Sequence, residues 1–477
     1  MSDVIANILA SRYASSPIKE IWSERGRVVL EREFWIAVMK GQRELDLDIP
    51  AEAIQAYERV KDEVDLESIA RREAVLRHDV KARIEEFCDQ AGWEHIHKGM
   101  TSRDLTDNVE QFQVLRSLQI LQDKYVALLF CLSQRAAEWS DLAIVGRTHY
   151  AAAQPTTLGK RLAMFGEEML QAFGRLEHLI ANYPLRGLKG AVGTGLDQLT
   201  LLNGDAEKLH QLQDKVRSYL GFQRELNAVG QVYPRSLDFS VLSCLYQLGG
   251  GIADLARNIR LMAGGEMVTE GFAQGQVGSS AMPHKMNTRS AERICGFSTL
   301  IKMYADGASR LAGDQWEEGD VSCSVVRRIV MPDALYASDG LCETTLTVLL
   351  NMGAYPVIID KEVDRYLPFL ASTEILMTAV KAGVGRETAH DAIKRHAVAE
   401  AMAMRQKGAV PQLSGKLAND PVFKTAGITE ARINGILKDK KHFVGNAAKQ
   451  IDQVAEKASP LLERYAKDAR YEPGDIL

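Results

Sequence analysis

The sequence predicts an all-α protein of three helical domains, residues 1–110, 111–360 and 361–477, with a bundle of long helices at its centre. Three observations carry this. The first 110 residues are charged, helical in period and rich in Glu and Arg, with little clustering of β-branched residues. Three long runs of apolar residues then repeat at alternating spacings of three and four. Beyond Ala354 these seams stop, the helical stretches shorten and the charge rises. No stretch reads as strands long enough to make a sheet.

At 477 residues the chain has the length of about three domains. A net charge of −5 and a pI near 6.1 give no basic footprint for nucleic acid. Small anionic substrates need only a local basic pocket. The six cysteines are scattered without C-x-x-C spacing, so neither a zinc site nor a disulfide framework is indicated. The opening MSDVIANILASRYAS has an acid where a secretory signal needs bases, and no uninterrupted apolar run approaches membrane-spanning length. A soluble cytoplasmic protein is expected, with no membrane partner.

In chain order, the first polar site is Arg12-Tyr13. Next comes Arg77-His78-Asp79, just ahead of a helix containing Val80 and Ile84. A histidine beside an aspartate is more often a hydrogen-bonded structural pair than a catalyst. In WEHIHKGMTSRDLTDN, His95 and His97 stand two apart, but no further ligand follows at metal spacing, so no metal is assigned. Thr101, Ser102, Asp104 and Asn108 are cap-type residues at a helix start, which is either a plain N-cap or a site for a carboxylate or phosphate.

The first seam is Val114, Leu118, Leu121, Tyr125, Leu128 and Leu132, and the second runs from Leu158 through Leu162, Phe165, Met169, Ala172, Leu176 and Leu179 to Tyr183. A third, weaker one runs from Leu237 through Val241, Cys244, Leu248, Gly251 and Leu255 to Met262. These positions are core and carry no chemistry. Helices this long have more apolar edge than one chain covers, so association into a larger bundle is expected. Between the first two seams, GRTHYAAAQPTTLGK reads as a polar loop holding His149 ahead of a Pro-Thr-Thr helix start. Farther on, GQVYPRSLD supplies Gln231 and Arg235. Helices expected at about 290–312 and 333–352 flank WEEGDVSCSVVRRIVMPD, where Ser322, Ser324, Arg327 and Arg328 read as a basic polar patch.

The densest chemistry lies in EGFAQGQVGSSAMPHKMNTRSAER, residues 270–293. Its first half is spaced by Gly271, Gly275 and Gly278 and reads as a mobile loop. Its second half sets Ser279, Ser280, His284, Lys285, Asn287 and Arg289 before a helix beginning near Ser290. A P-loop, a G-x-S-x-G elbow and a dinucleotide fingerprint are all absent from it.

The segment GSSAMPHKMN resembles the S-S-x-M-x-x-K-x-N signature of the fumarase/aspartase superfamily. It departs from the usual continuation only at Met286 and Thr288. RYAS at 12–15, LRHDV around His78, HKGMTSRD around His97 and GRTH around His149 are similar to the adenylosuccinate lyase family within it. That resemblance implies elimination of fumarate from adenylosuccinate, giving AMP, and from succinyl-aminoimidazole-carboxamide ribotide, giving its amide. It implies Ser279 as the base and His149 as the acid that protonates the departing nitrogen. Glu292 would be a supporting carboxylate, and Lys285 and Asn287 suit the dianion that forms. His78, Asp79, His97, Thr101, Ser102, Gln231 and Arg235 would bind substrate, and Arg12, Tyr13, Ser324 and Arg328 its phosphate. Many members carry an arginine where alignment puts Gly319, and Arg103 is the expected substitute, unless it merely pairs with Asp104 or Asp107. No metal or organic cofactor is needed. The resemblance also implies a homotetramer whose core is the long helices and whose active sites combine segments of different subunits. A related lyase or cycloisomerase, acting on argininosuccinate or carboxymuconate, would share the signature, but His78 and Arg12-Tyr13 argue against it. A silent helical scaffold is opposed by the intact Ser279, Lys285, Asn287 and His149.

Overall fold

A computed structural model of the chain describes residues 5–271 and 281–474. The helices that matter here are α1 (Glu24–Glu44), α2 (Asp79–Ala91), α3 (Ser102–Glu138), α4 (Leu158–Asn182), α5 (Ser236–Gly264), α6 (Arg289–Ser309) and α7 (Cys323–Asn351). Two more, α8 (Arg386–Lys407) and α9 (Ala447–Arg464), belong to the C-terminal part.

Helices α3 to α7 form a closed ring. Each packs on the next and α7 closes back on α3. The seams are the reason. Val114, Leu118, Leu121, Tyr125, Leu128 and Leu132 are all buried, as are Leu158, Leu162, Met169 and Leu176 of α4 and Val241, Leu248 and Leu255 of α5. Helix α3 has 37 residues and so spans about 55 Å. Helix α5 passes a length-and-composition test for a membrane span, yet 61% of that window is buried among its neighbours, so its apolarity is that of a core helix. Outside the ring a different set of apolar side chains stays exposed within the single chain: Phe239, Tyr246 and Leu261 on α5, Met303 on α6, and Val325 and Ile329 on α7.

Two expectations are corrected. Residues Ala143–Thr148 (β1) and Ala151–Thr157 (β2) form an antiparallel hairpin where a loop was expected. Gly146 sits at a register shift in it, and a Cβ there would lie 2.3 Å from the Gln154 carbonyl oxygen, so only glycine fits. Helix α7 begins at Cys323, ten residues before the expected start, and runs through Pro332. Pro332 has no N–H to give the Arg328 carbonyl, but burial of Val330, Met331, Ala334 and Leu335 holds the helix through it.

A second, smaller core joins Ile375, Ala379, Ile393, Leu413, Leu417, Phe423 and Ile433. Helix α9 then returns to the ring and packs on α3 and α4. Both chain ends are tied to the ring by one buried cation. Lys124 on α3 pairs with Asp339 and, at 2.6 Å, with Glu343 of α7, and it donates to Ser15 Oγ at 2.8 Å. Tyr471 donates to Glu343 at 2.5 Å. A charge with this little water is stable only because every neighbour answers it.

Candidate active site

The site residues expected from sequence fall into three groups on one chain. The first lines a cleft where the N-terminal ends of α3 and α7 meet α1 and α2. Asp79, Ser102, Arg103 and Arg328 face it, with Arg27 and Arg83 deeper in the wall. Asp79 opens α2, and His78 is its N-cap, accepting the Lys81 N–H on Nδ1 at 3.2 Å. Arg83 holds Asp79 at 2.9 Å and contacts Glu31 at 2.6 Å. Burial alone would raise the Asp79 carboxyl, but Arg83 outweighs it and holds the group below its usual range.

His97 lies nearby, in a left-handed turn with φ of 63°. Trp35 Nε1 donates to its Nδ1 at 3.0 Å. Burial lowers its pKa to about 4, with Asp104 opposing and His78 adding to the effect. At neutral pH the ring is therefore uncharged, and with Nδ1 accepting, the proton sits on Nε2. His97 can donate one hydrogen bond and is not a proton source.

Behind the cleft is an ion-pair network. Arg327 is buried and pairs with Asp238 at 2.6 Å, Glu110 at 2.5 Å and the Tyr233 hydroxyl. Arg235 is also buried, stacked on Tyr233 and paired with Asp107 at 3.2 Å. Asp107 pairs in turn with Arg103 at 3.3 Å. Arg235 thus sits inside the wall, and Arg327 belongs to this network and not to the exposed patch expected for it. Ser324 is half-buried in the first turn of α7, and Arg328 alone of the arginine pair points outward.

Asp104 also turns inward. It accepts the Thr101 N–H at 2.9 Å, which is half of a capping box, and pairs with the buried Arg186 at 2.7 Å. The same carboxylate takes the Lys189 and Gly190 N–H groups at 2.9 and 3.0 Å. The start of α3 is therefore capped from within, leaving Ser102 and Arg103 on its open side. Gln231 donates its backbone N–H to the Glu318 carbonyl at 2.6 Å and backs onto Gly319. A Cβ at Gly319 would come 2.9 Å from the Gln231 Cβ, so a larger side chain there requires this loop to shift.

The second group lies at the opposite end of the ring. Lys285, Asn287 and Glu292 line a cleft with the end of α5, the start of α6 and Tyr355. His284 and Lys285 are exposed. Ser279 and Ser280 lie outside the described residues. From Arg328 to the end of α7 is 23 residues, so the two clefts stand about 35 Å apart along that helix. Arg12 is exposed, while Tyr13 packs edge-on to Phe297 of α6 at 5.2 Å under the Arg293 guanidinium.

The third group is the hairpin tip. Thr148 pairs with Ala151, leaving His149 and Tyr150 as a two-residue turn with φ of 50° and 60°. That conformation suits Asn-Gly, and for His and Tyr it is strained. Arg147 fixes the turn, donating to the Tyr150 carbonyl at 3.2 Å and pairing with Glu362.

Sequence reasoning did not single out Arg83, Arg186 or Glu270: Arg186 and Glu270 find their partners on other elements, and Arg83 reaches Glu31 on α1 as well as Asp79 one turn before it. Only Glu270 has a signal nearby, a carboxylate at the head of the glycine-rich stretch.

Residues 12–302 match the family described as Lyase, and residues 368–454 the one described as adenylosuccinate lyase C-terminus. The adenylosuccinate lyase of Schistosoma mansoni is 32% identical over 455 residues, covering 94% of this chain and 93% of that one. That of Saccharomyces cerevisiae is 32% identical over 472 residues, covering 96% of each. Among solved structures, 3-carboxy-cis,cis-muconate lactonizing enzyme from Pseudomonas putida superposes with a TM-score of 0.82 at 20% identity, covering 97% of this chain and 100% of that one. Fumarate lyase from Mesorhizobium sp. BNC1 does so with a TM-score of 0.76 at 18% identity, covering 93% and 98%. At such identities these two speak for the fold alone.

Proposed function

This chain belongs to the adenylosuccinate lyase family and is a lyase, and from that premise we propose how its residues eliminate fumarate from adenylosuccinate and from succinyl-aminoimidazole-carboxamide ribotide. The near-full-length relationship to adenylosuccinate lyases carries the reading. The place of the reaction is purine synthesis in the cytoplasm.

A proton leaves the succinyl carbon next to a carboxylate, the C–N bond breaks, and the departing nitrogen takes a proton, giving fumarate and AMP. Ser279 takes the first proton and His149 supplies the second. Lys285 and Asn287 face the dianion that forms between these steps, with Glu292 beside them at the start of α6. Ser279 as base needs the alkoxide stabilised by a cation, and Lys285, six residues on, is the nearest in sequence. His97 donates from Nε2, with His78, Asp79, Thr101 and Ser102 completing that side of the substrate.

The phosphate goes to Arg328 and Ser324 with Arg12 and Tyr13. Arg103 replaces the arginine that many family members carry at the Gly319 position. Its support is its place in the same cleft as Arg328. One pairing with Asp107 at 3.3 Å leaves guanidinium donors over, and Asp107 is held by Arg235 as well.

The acid, the base segment and the cationic cleft act on one small substrate, yet one chain holds two of them about 35 Å apart. A homotetramer whose sites draw on several subunits resolves this. The exposed apolar residues of α5, α6 and α7 support it, because they give the long helices a face to bury.

Incubation with adenylosuccinate, and separately with argininosuccinate, tests the reading. Fumarate is expected from the first alone. Fumarate from argininosuccinate, or from neither, overturns it.

A further inference from the structure

Helix α6 carries the chemistry of the second cleft at its first turns, and its N-terminus is capped in an unusual way. Thr288 occupies the N-cap position but makes no side-chain cap bond. The two N–H groups that an N-cap side chain serves, those of Ser290 and Ala291, go instead to Glu270, Oε1 at 2.9 Å and Oε2 at 3.0 Å. Glu270 is only 7% exposed. It lies twenty residues before Ser290 and follows a short strand, Val268–Thr269, that pairs with Gly353–Ala354 just past α7. Next to it, Gly271 has φ of 95° and packs so closely on Asn351 that a Cβ would lie 2.6 Å from the Asn351 Cβ.

We propose that Glu270 is a positioning residue for the elimination: its carboxylate staples the start of α6 to the floor of the cleft, and so fixes where Lys285, Asn287 and Glu292 stand. Two consequences follow. The positive end of the α6 dipole is already answered by a protein carboxylate, so a substrate carboxylate in this cleft is held by side chains and not by that helix terminus. Capping and stapling also become separable, because an aspartate at 288 can reach the same two N–H groups locally without tying them to the strand.

This rests on the lyase reading, and the test keeps the two apart. Three proteins are compared with wild type: Glu270→Gln, Glu270→Ala and Glu270→Ala/Thr288→Asp. Each is followed by thermal unfolding, by kcat and KM for adenylosuccinate, and by amide exchange in residues 282–293. Glu270→Ala is expected to lower both Tm and kcat, the latter by about 10- to 100-fold, as small misplacements of reacting groups do. Glu270→Gln, keeping one acceptor, falls between. The double variant is expected to recover Tm and slow exchange at Ser290 and Ala291, but not kcat, with residues 282–288 still exchanging faster than in wild type. Recovery of kcat along with Tm would mean that Glu270 is only a cap, and would overturn the proposal. If wild type itself releases no fumarate, the lyase reading fails. Exchange at 282–288 then decides the staple, and wild-type exchange there in the double variant overturns it.

Discussion

The two ends of α7 are built on opposite principles. At its N-terminal end, Arg327, Asp238, Glu110, Arg235 and Asp107 form a buried lattice of charges. Burial pushes the Asp107 carboxyl up, while Arg327 holds Glu110 down against the same effect. Such a lattice is tolerable only when each charge is answered, so this end is finished within one chain. At the C-terminal end, Met282, His284 and Lys285 are exposed, and the contacts that hold this end include the Glu270 carboxylate and the close approach of Gly271 to Asn351. The first end is frame, and the second carries the residues proposed for the chemistry. The frame should answer mutation with stability and the chemistry with rate.

The sharpest break in this contrast is Ser279→Ala. It should lower kcat by about 10²- to 10⁴-fold while leaving Tm and substrate binding close to wild type. Titration with substrate and a thermal melt check both halves. A near-normal kcat removes Ser279 as the base.

On the frame side, Arg186→Ala leaves Asp104 buried and unpaired, and Asp104 also anchors Lys189 and Gly190. It should cost about 3–5 kcal/mol in a denaturant titration. A loss below about 1 kcal/mol would show that water reaches this pair, and that the two ends differ less than described here.

His97 offers a smaller, pH-dependent version. Its pKa falls from 6.5 to about 4 on folding, so protonation favours the unfolded chain. Its contribution is fully present above 6.5 and is lost as pH falls toward 4, amounting at most to ~3 kcal/mol. The acid-induced loss of stability should therefore be smaller in His97→Gln than in wild type, by up to that amount. Equal losses would mean that the imidazole is not held neutral by burial.

The mildest effects should come from cations that face the first cleft without belonging to its lattice. Arg328→Ala should raise KM for adenylosuccinate about tenfold or more, the weight of one charge-assisted hydrogen bond. Arg103→Ala should raise it less, since part of its charge is spent on Asp107. An unchanged KM in Arg103→Ala rejects its role as substitute cation and leaves the lyase assignment intact.

The frame and the chemistry were unequally legible in the sequence. The ring of long helices was readable because a heptad repeat is local, and each seam residue reports its own burial. The signature was readable because five specified residues fall within nine consecutive positions. The hairpin at 143–157 was not, because its turn is His-Tyr where a two-residue loop advertises itself by Asn-Gly, and its second strand opens with three alanines and contains Pro155. The start of α7 was hidden by Pro332, which reads as a boundary until burial on both sides overrides it. The charge lattice had no local signal at all. Arg327 meets Asp238 across 89 positions and Glu110 across 217, and sequence could not tell it from Arg328, its neighbour, which points the other way.

The proposal that each site is completed by other subunits is tested directly by subunit mixing. Ser279→Ala and His149→Ala proteins, each inactive alone, would be combined in equal amounts under conditions that allow subunit exchange, and fumarate release followed. If the two residues of one site come from different chains, random reassortment restores about a quarter of wild-type activity. Activity that stays at the level of the separate mutants after demonstrated exchange, or a protein that is active as a monomer, would contradict the account.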